Sequence, residues 1–222
     1  MQDFFQFTVT AHSGSMGLPD NSIEAMAAGV AAGADIVEFD LRFSRRGEPV
    51  LSHDAPCGEP VTLSAAFAFL AAHPGVRANV DVKDTSGLGL VAPLALEYGV
   101  PDRLFYTGVG ANDAAAVREK SPEIPFYLNT AVQDDADANL RIPLEDLYIA
   151  LAKKTKALGA VGINIFHGHL TPLLLEVFRR EGLPVSVWTV NDPKDIARVV
   201  PLAPNNVTTR RPDLVLAAVR KR

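Results

Sequence analysis

Two stretches decide the fold: Ile36-Val37-Glu38-Phe39-Asp40 and, further along, Ala78-Asn79-Val80-Asp81-Val82-Lys83. Both are short β-rich apolar runs interrupted by charge at every second position. A strand turns successive side chains to opposite faces, so Glu38 and Asp40 share one face and Asp81 and Lys83 share one face of their own strand. Short apolar strands that end in charged residues are the sequence form of a parallel α/β protein, whose chemistry gathers where the carboxyl ends of its strands meet.

The same rhythm continues in both directions. Further strands are predicted at Phe7 to Thr10, Leu104 to Tyr106, Phe126 to Leu128, Gly162 to Ile165, Val185 to Trp188 and Asn206 to Thr208, with the two above taken as Ile36 to Phe39 and Ala78 to Val82. Ala- and Leu-rich helical stretches follow near Ser22, Leu63, Leu88, Asn112, Pro143, Thr171, Pro193 and Pro212. Strands alternating with longer helices argue for βα units around a parallel sheet. Eight units in succession favour closure, because a closed sheet leaves no edge and its helices cover the outside. The expected fold is therefore α/β, a single (β/α)8 TIM barrel, with an open doubly wound sheet as the alternative.

Local signals agree with these boundaries. Asn21 or Ser22 caps the first helix, Asn112 precedes the fourth, and Asp192 precedes Pro193 at a first-turn position. Arg45-Arg46-Gly47-Glu48 reads as a hairpin turn leading into Pro49-Val50-Leu51-Ser52-His53-Asp54. A chain of 222 residues that is 48% apolar can bury one large core, and no linker or low-complexity segment divides it, so residues 1–222 are read as one domain.

Composition narrows the function. A formal charge of -5 with scattered acids offers no basic stripe for a nucleic acid. Cys57 is the sole cysteine, which excludes an internal disulfide framework and a multi-cysteine metal cluster. Met1 to His12 lacks the pattern of a signal peptide and no segment approaches membrane-spanning length, so a cytoplasmic protein without a membrane span is expected.

Three inward carboxylates on neighbouring strands need a physical explanation. Two of them about 4 Å apart repel by roughly 4 kcal/mol even at an effective dielectric near 20. They are protonated, or they share one divalent cation, with an all-oxygen set suited to Mg²⁺ or Ca²⁺, or they form a salt-bridge network with Lys83 and Arg42. His12 and His53 come from different strand ends beside this cluster, as an acid and a base on two sides of a reacting centre would. Trp188, the only tryptophan, ends strand seven and offers either an apolar wall or core packing. His167 and His169 read as an exposed loop pair, and His73-Pro74-Gly75 as a helix exit. Gly108-Val109-Gly110 is too short for a dinucleotide fingerprint.

At this point the chain resembles the glycerophosphodiester phosphodiesterases of the PLC-like phosphodiesterase superfamily. The residues that carry the resemblance are His12-Ser13-Gly14, Pro19-Asp20-Asn21-Ser22, Gly33-Ala34-Asp35, Glu38-Phe39-Asp40, His53-Asp54 and Trp188-Thr189-Val190-Asn191, with Thr209-Arg210-Arg211-Pro212-Asp213 near the end. The resemblance implies acid–base catalysis by His12 and His53, one Mg²⁺ or Ca²⁺ held by Glu38, Asp40 and Asp81, and phosphate contact by Lys83. It implies hydrolysis of a small glycerophosphodiester to an alcohol and glycerol 3-phosphate, often through attack by the substrate's own hydroxyl.

Three positions depart from the family pattern. Ser13 stands for an arginine that contacts phosphate, Asp81 for a glutamate, and Arg210 for an aspartate. Barrel closure puts Ser13 and Arg210 at adjacent strand ends, so Arg210 is a candidate replacement cation and both join Lys83 and Trp188 as candidate substrate-binding residues. The bland reading of Arg210 is a rim side chain paired with Asp213 or Asp35. Two competing functions follow: lysophospholipase-D-like cleavage, which needs an apolar entrance, and a barrel that binds a phosphorylated ligand without turning it over.

Overall fold

The protein's structure, a computed structural model, describes residues 6–130, 132 and 143–221. Eight parallel strands close into a barrel: β1 (Thr8–Ala11), β2 (Ile36–Phe43), β4 (Arg77–Val82), β5 (Leu104–Val109), β6 (Phe126–Asn129), β7 (Gly162–Phe166), β8 (Val185–Trp188) and β9 (Asn206–Thr209). The ring is completed where β1 pairs with β9 on one side and with β2 on the other, Thr10 facing Thr208 and Ile36 in register. Strand β3 (Pro49–Leu51) hangs outside the ring as an antiparallel partner of β2.

Helices α1 (Ile23–Ala31), α2 (Leu63–Ala72), α3 (Val91–Glu97), α4 (Ala114–Lys120), α5 (Leu144–Ala157), α6 (Pro172–Arg180), α7 (Pro193–Val199) and α8 (Pro212–Val219) connect the strands. Four of these starts have a side-chain cap. Ser22, Thr62 and Thr171 each accept a hydrogen bond from the backbone N–H three residues on, and Asp192 caps the N–H of Lys194 beside Pro193. Asn21 is not the cap of α1, and α4 begins after Asp113 without any side-chain cap. The expected boundaries of two strands move most. β2 runs on from Phe39 to Phe43 because the turn at Ser44 to Glu48 folds it onto β3, and β5 runs on from Tyr106 to Val109.

Apolar side chains on the outer faces of the strands pack against the helices in one cluster that includes Phe39, Leu41, Phe67, Tyr106, Ile163 and Phe178. Inside the barrel, near the amino ends of the strands, a neutral polar network fills the space. Asn206 Oδ1 accepts from the hydroxyls of Thr8 and Thr10 at 3.0 and 2.8 Å, while its amide nitrogen donates to Ser186 Oγ at 2.9 Å. Among the described residues no helix is long and apolar enough to cross a membrane.

Candidate active site

At the carboxyl ends of the strands the barrel opens into a cavity of about 380 Å³. His12, Glu38, Asp40, His53, Asp81, Lys83 and Trp188 all line it, so the structure brings together residues from β1, β2, β4, β8 and the loop after β3. Ser13 and Arg210 are not among its lining residues.

The three carboxylates converge as their period-two spacing requires: each offers one oxygen, and these oxygens lie within 4.8 Å of one another. Glu38 is 3% and Asp40 4% exposed, so neither charge is solvated by bulk water. Local bonds aim them. The backbone N–H of Ser13 donates to Glu38 Oε2 at 2.8 Å, and Lys83 Nζ reaches Asp81 Oδ2 at 2.9 Å and Asp40 Oδ1 at 3.2 Å. Asn21, in the left-handed region at φ 59, clamps Asp40 twice: its amide nitrogen donates to Asp40 Oδ2 at 2.8 Å and its oxygen accepts from the Asp40 N–H at 2.9 Å.

Lysine alone does not satisfy this cluster. Among the described residues, Asp81 Oδ1 is buried without a hydrogen-bond partner. Burial first, then the neighbouring Asp40 and Asp81 charges, push Glu38 well above the usual carboxylate range, and burial raises Asp81 despite Lys83. Burial pulls Lys83 down, but its two carboxylate partners outweigh that and hold it charged. Oxygen donors from three residues, one of them an orphaned buried atom, fit a hard divalent cation. Gly108, at φ +74, makes room: a Cβ there would overlap Asp81 Oδ1.

The two histidines differ in setting. His12 is mostly enclosed, with Nδ1 3.2 Å from Ser13 Oγ and 3.9 Å from Glu38 Oε2. Burial first and then the Arg210 guanidinium lower its pKa, favouring the neutral ring. His53 is solvent-facing; its Nδ1 lies 3.0 Å from Asp54 Oδ1, which leaves Nε2 free, and Arg42 Nε donates to the His53 carbonyl. Arg42 thus fixes this loop and takes no part among the carboxylates.

Arg210 does sit beside the end of β1, as closure requires, but its partner is neither Asp213 nor Asp35. Its guanidinium grips Asp20 through Nη1–Oδ1 at 2.7 Å and Nη2–Oδ2 at 3.0 Å, while Asp213 is taken by Arg211 and Asp35 accepts from the Val9 N–H. The pair lies across Gly14, where a Cβ would overlap both side chains. The histidines after β7 also depart from expectation. His167 is buried, accepting from Arg198 Nη2 at Nδ1 and tilted against Phe166, so it is a satisfied packing residue and not an exposed one.

Sequence reasoning missed the neutral residues of the cavity. Asn79 and Thr107, joined by a 2.8 Å bond, and Asn129 and Asn164 also line the cavity. A signal was available: both faces of a parallel strand are normally apolar, so Asn79 between Ala78 and Val80, or Asn164 between Ile163 and Ile165, marks an inward position with a function.

Fold and rim together define a barrel hydrolase suited to an anionic ester. The sequence matches the model of the glycerophosphoryl diester phosphodiesterase family over residues 12–68 and 62–214, and the chain belongs to that family. It is 22% identical over 245 residues to the glycerophosphodiester phosphodiesterase of Caldanaerobacter subterraneus subsp. tengcongensis, covering 96% of this chain and 98% of that protein. Its fold is shared with a glycerophosphodiester phosphodiesterase of Agrobacterium tumefaciens (TM-score 0.75, 18% identity, 96% of this chain and 100% of the other). It is shared also with an Oleispira antarctica phosphodiesterase in complex with the product sn-glycerol-3-phosphate (TM-score 0.74, 18% identity, 97% and 98% covered).

Proposed function

We propose that the protein hydrolyses glycerophosphodiesters to an alcohol and glycerol 3-phosphate, with one divalent cation held by Glu38, Asp40 and Asp81 and with His12 and His53 as the acid–base pair. The observation that carries this reading is the convergence of three carboxylates, two of them buried and the third with Oδ1 unpartnered among the described residues, in the same cavity as both histidines and Lys83. Such a cation, Mg²⁺ or Ca²⁺, supplies Lewis-acid stabilisation of charge on the phosphoryl oxygens.

The residues of the chain divide the remaining work. Lys83, kept charged by Asp40 and Asp81, binds the phosphate. His12, biased towards its neutral form, accepts the proton of the attacking hydroxyl as the new P–O bond forms. His53, oriented through Nδ1 by Asp54, gives a proton to the alcohol oxygen as the old P–O bond breaks. When the attacker is the substrate's own hydroxyl, the cyclic phosphate so formed is opened by water with the two histidines exchanging roles. Ser13 contributes through its neighbours, bonding His12 with its hydroxyl and Glu38 with its N–H. Trp188, 39% exposed, walls the mouth of the cavity.

A panel of glycerophosphodiesters assayed with and without chelator tests the reading. Chelator-sensitive release of glycerol 3-phosphate supports it. Phosphate-ester binding without any metal-stimulated turnover would assign the barrel to ligand binding instead.

A further inference from the structure

One loop grips the carboxylate cluster from outside. Between β1 and α1 the Ser13 N–H donates to Glu38 Oε2 at 2.8 Å, the Asn21 N–H donates to the Ser13 carbonyl at 3.2 Å, and the Asn21 side chain binds Asp40. Asn21 is 8% exposed and does not cap α1, a role that Ser22 takes. We propose that Asn21 is a positioning residue for the cation: it leaves Asp40 a single oxygen to offer and so biases the site towards Mg²⁺ over Ca²⁺. The inference rests on the metal-dependent reading above and adds to it what chooses the ion.

Two bonds fix the orientation of both groups. The Asp40 N–H can only donate, so the Asn21 atom 2.9 Å from it is the amide oxygen. The amide nitrogen is thereby turned to Asp40 Oδ2, to which it donates at 2.8 Å. Holding the N–H and the carboxylate of one residue together takes an acceptor and a donor side by side, and an amide has both. Asparagine also tolerates the left-handed backbone, φ 59, that turns this side chain inward.

The same division runs through the cluster. Glu38 Oε2 faces the Ser13 N–H, Asp40 Oδ2 faces Asn21, and Asp81 Oδ2 faces Lys83 at 2.9 Å. One oxygen of each carboxylate is thus engaged by a donor. The other oxygens remain for an ion: Glu38 Oε1, Asp40 Oδ1, which Lys83 approaches at 3.2 Å, and Asp81 Oδ1, unpartnered among the described residues. Three carboxylates held to one oxygen each suit Mg²⁺, which demands strict octahedral geometry and fills its other positions with water and phosphate. Ca²⁺ takes roughly six to eight oxygens in looser geometry and gains from carboxylates free to turn and offer both. The Ser13 clamp is a backbone N–H and Lys83 serves the phosphate, so Asn21 is the clamp that a substitution removes by itself.

Calorimetric titration of chelator-stripped protein with Mg²⁺ and with Ca²⁺ tests the proposal, and the readout is the ratio of the two dissociation constants. Asn21→Gly keeps the left-handed backbone and removes both bonds. Its Mg²⁺ affinity should fall by about 10- to 100-fold, as the loss of a ligand's outer partner does, and its Ca²⁺ affinity by less. Asn21→Asp keeps the shape of the side chain and the acceptor for the Asp40 N–H, and loses only the donor. Its added charge attracts both ions alike, so the ratio should still move towards Ca²⁺. A ratio that stays at the wild-type value or moves towards Mg²⁺ in either folded variant overturns the proposal, and an equal loss for both ions makes Asn21 a brace for the loop. Wild-type protein that binds neither ion overturns the metal reading itself.

Discussion

The two ends of the barrel interior are both polar, but they are polar in different ways. At the amino ends of the strands the groups are neutral and paired: Asn206 alone binds Thr8, Thr10 and Ser186. At the carboxyl ends charged and unpaired groups are added to neutral ones, with three carboxylates against one lysine and an oxygen on Asp81 that is orphaned among the described residues. The same strands build both ends, so the difference is not one of fold. Buried polar groups that satisfy one another hold the barrel in register; buried polar groups that do not are waiting for a ligand. Mutations at the two ends should therefore fail differently.

The largest effect is expected at the charged end. His12→Ala and His53→Ala should each lower turnover by about 10²–10⁴-fold, as the loss of a general acid or base does, with melting temperature close to that of the wild type. Single-turnover rates and thermal melts on the same samples decide this. Near wild-type turnover in either variant removes that histidine from the reaction.

Metal binding comes next. A cation at a hundred times its dissociation constant should stabilise the fold by about 2.7 kcal/mol, and chelator should reverse the gain. Glu38→Gln should abolish that stabilisation, because it removes a charged ligand. Without metal the same substitution should leave the protein as stable as the wild type or more so, since it removes a buried charge. The pH dependence follows from the raised pKa of Glu38. Between the ordinary value of 4.5 and its raised value, the folded state holds a proton that the unfolded state has lost. Wild-type stability should thus fall relative to Glu38→Gln as pH rises through that window, and the difference should level off above it. Urea titrations in chelator at several pH values measure this. A difference that is flat or of opposite sign contradicts the burial of an unpaired Glu38 charge.

The charged end was the legible one. Glu38, Asp40 and Asp81 announce themselves because charge inside a short apolar strand has no cheap explanation, and the βα rhythm places them at one rim. The neutral residues were harder to read. Asn79, Asn129 and Asn164 carry no charge, and an amide in a strand is easily taken for a surface residue. Asn21 looks like a helix cap in the sequence, yet Ser22 takes that role and Asn21 turns inward onto Asp40. Strand β5 extends past the expected Tyr106 to Val109: Thr107 bonds Asn79 inside the barrel and Gly108 makes room for Asp81. His167 reads as an exposed loop residue in the sequence, and its partner Arg198 lies a whole βα unit away. What sequence spacing hides in each case is the partner, which only closure brings near.

At the neutral end, Asn206→Ala should destabilise the fold by about 1–3 kcal/mol, because Thr8 and Thr10 lose an acceptor and Ser186 loses a donor in a buried network. Metal affinity of the folded fraction should stay unchanged. Calorimetric titration with Mg²⁺ or Ca²⁺ below the melting transition checks the second part. A large loss of affinity would show that the two ends are coupled and not separable.

The smallest effect is expected at Arg210, and it separates two roles for that residue. Its ion pair with Asp20 is half exposed, so Arg210→Ala should change stability by no more than about 1 kcal/mol. Its electrostatic effect on His12 is more telling. Arg210 is, after burial, the main cause of the lowered His12 pKa, and Asp20 pulls the other way. Removing the guanidinium therefore deletes a lowering influence and uncovers a raising one, so the His12 pKa must rise. A base works in its neutral form, and the acid limb of kcat/KM should accordingly move to higher pH in Arg210→Ala, with the plateau falling by less than about tenfold. If Arg210 instead replaces the phosphate-binding arginine missing at Ser13, a charge-assisted bond is lost, and kcat/KM should drop by about one to two powers of ten at every pH. Ser13→Arg should then restore it. The pH profile of the single variant tells the two apart: a shifted limb makes Arg210 an electrostatic neighbour of His12, whereas a uniform drop rescued by Ser13→Arg makes it the relocated phosphate ligand.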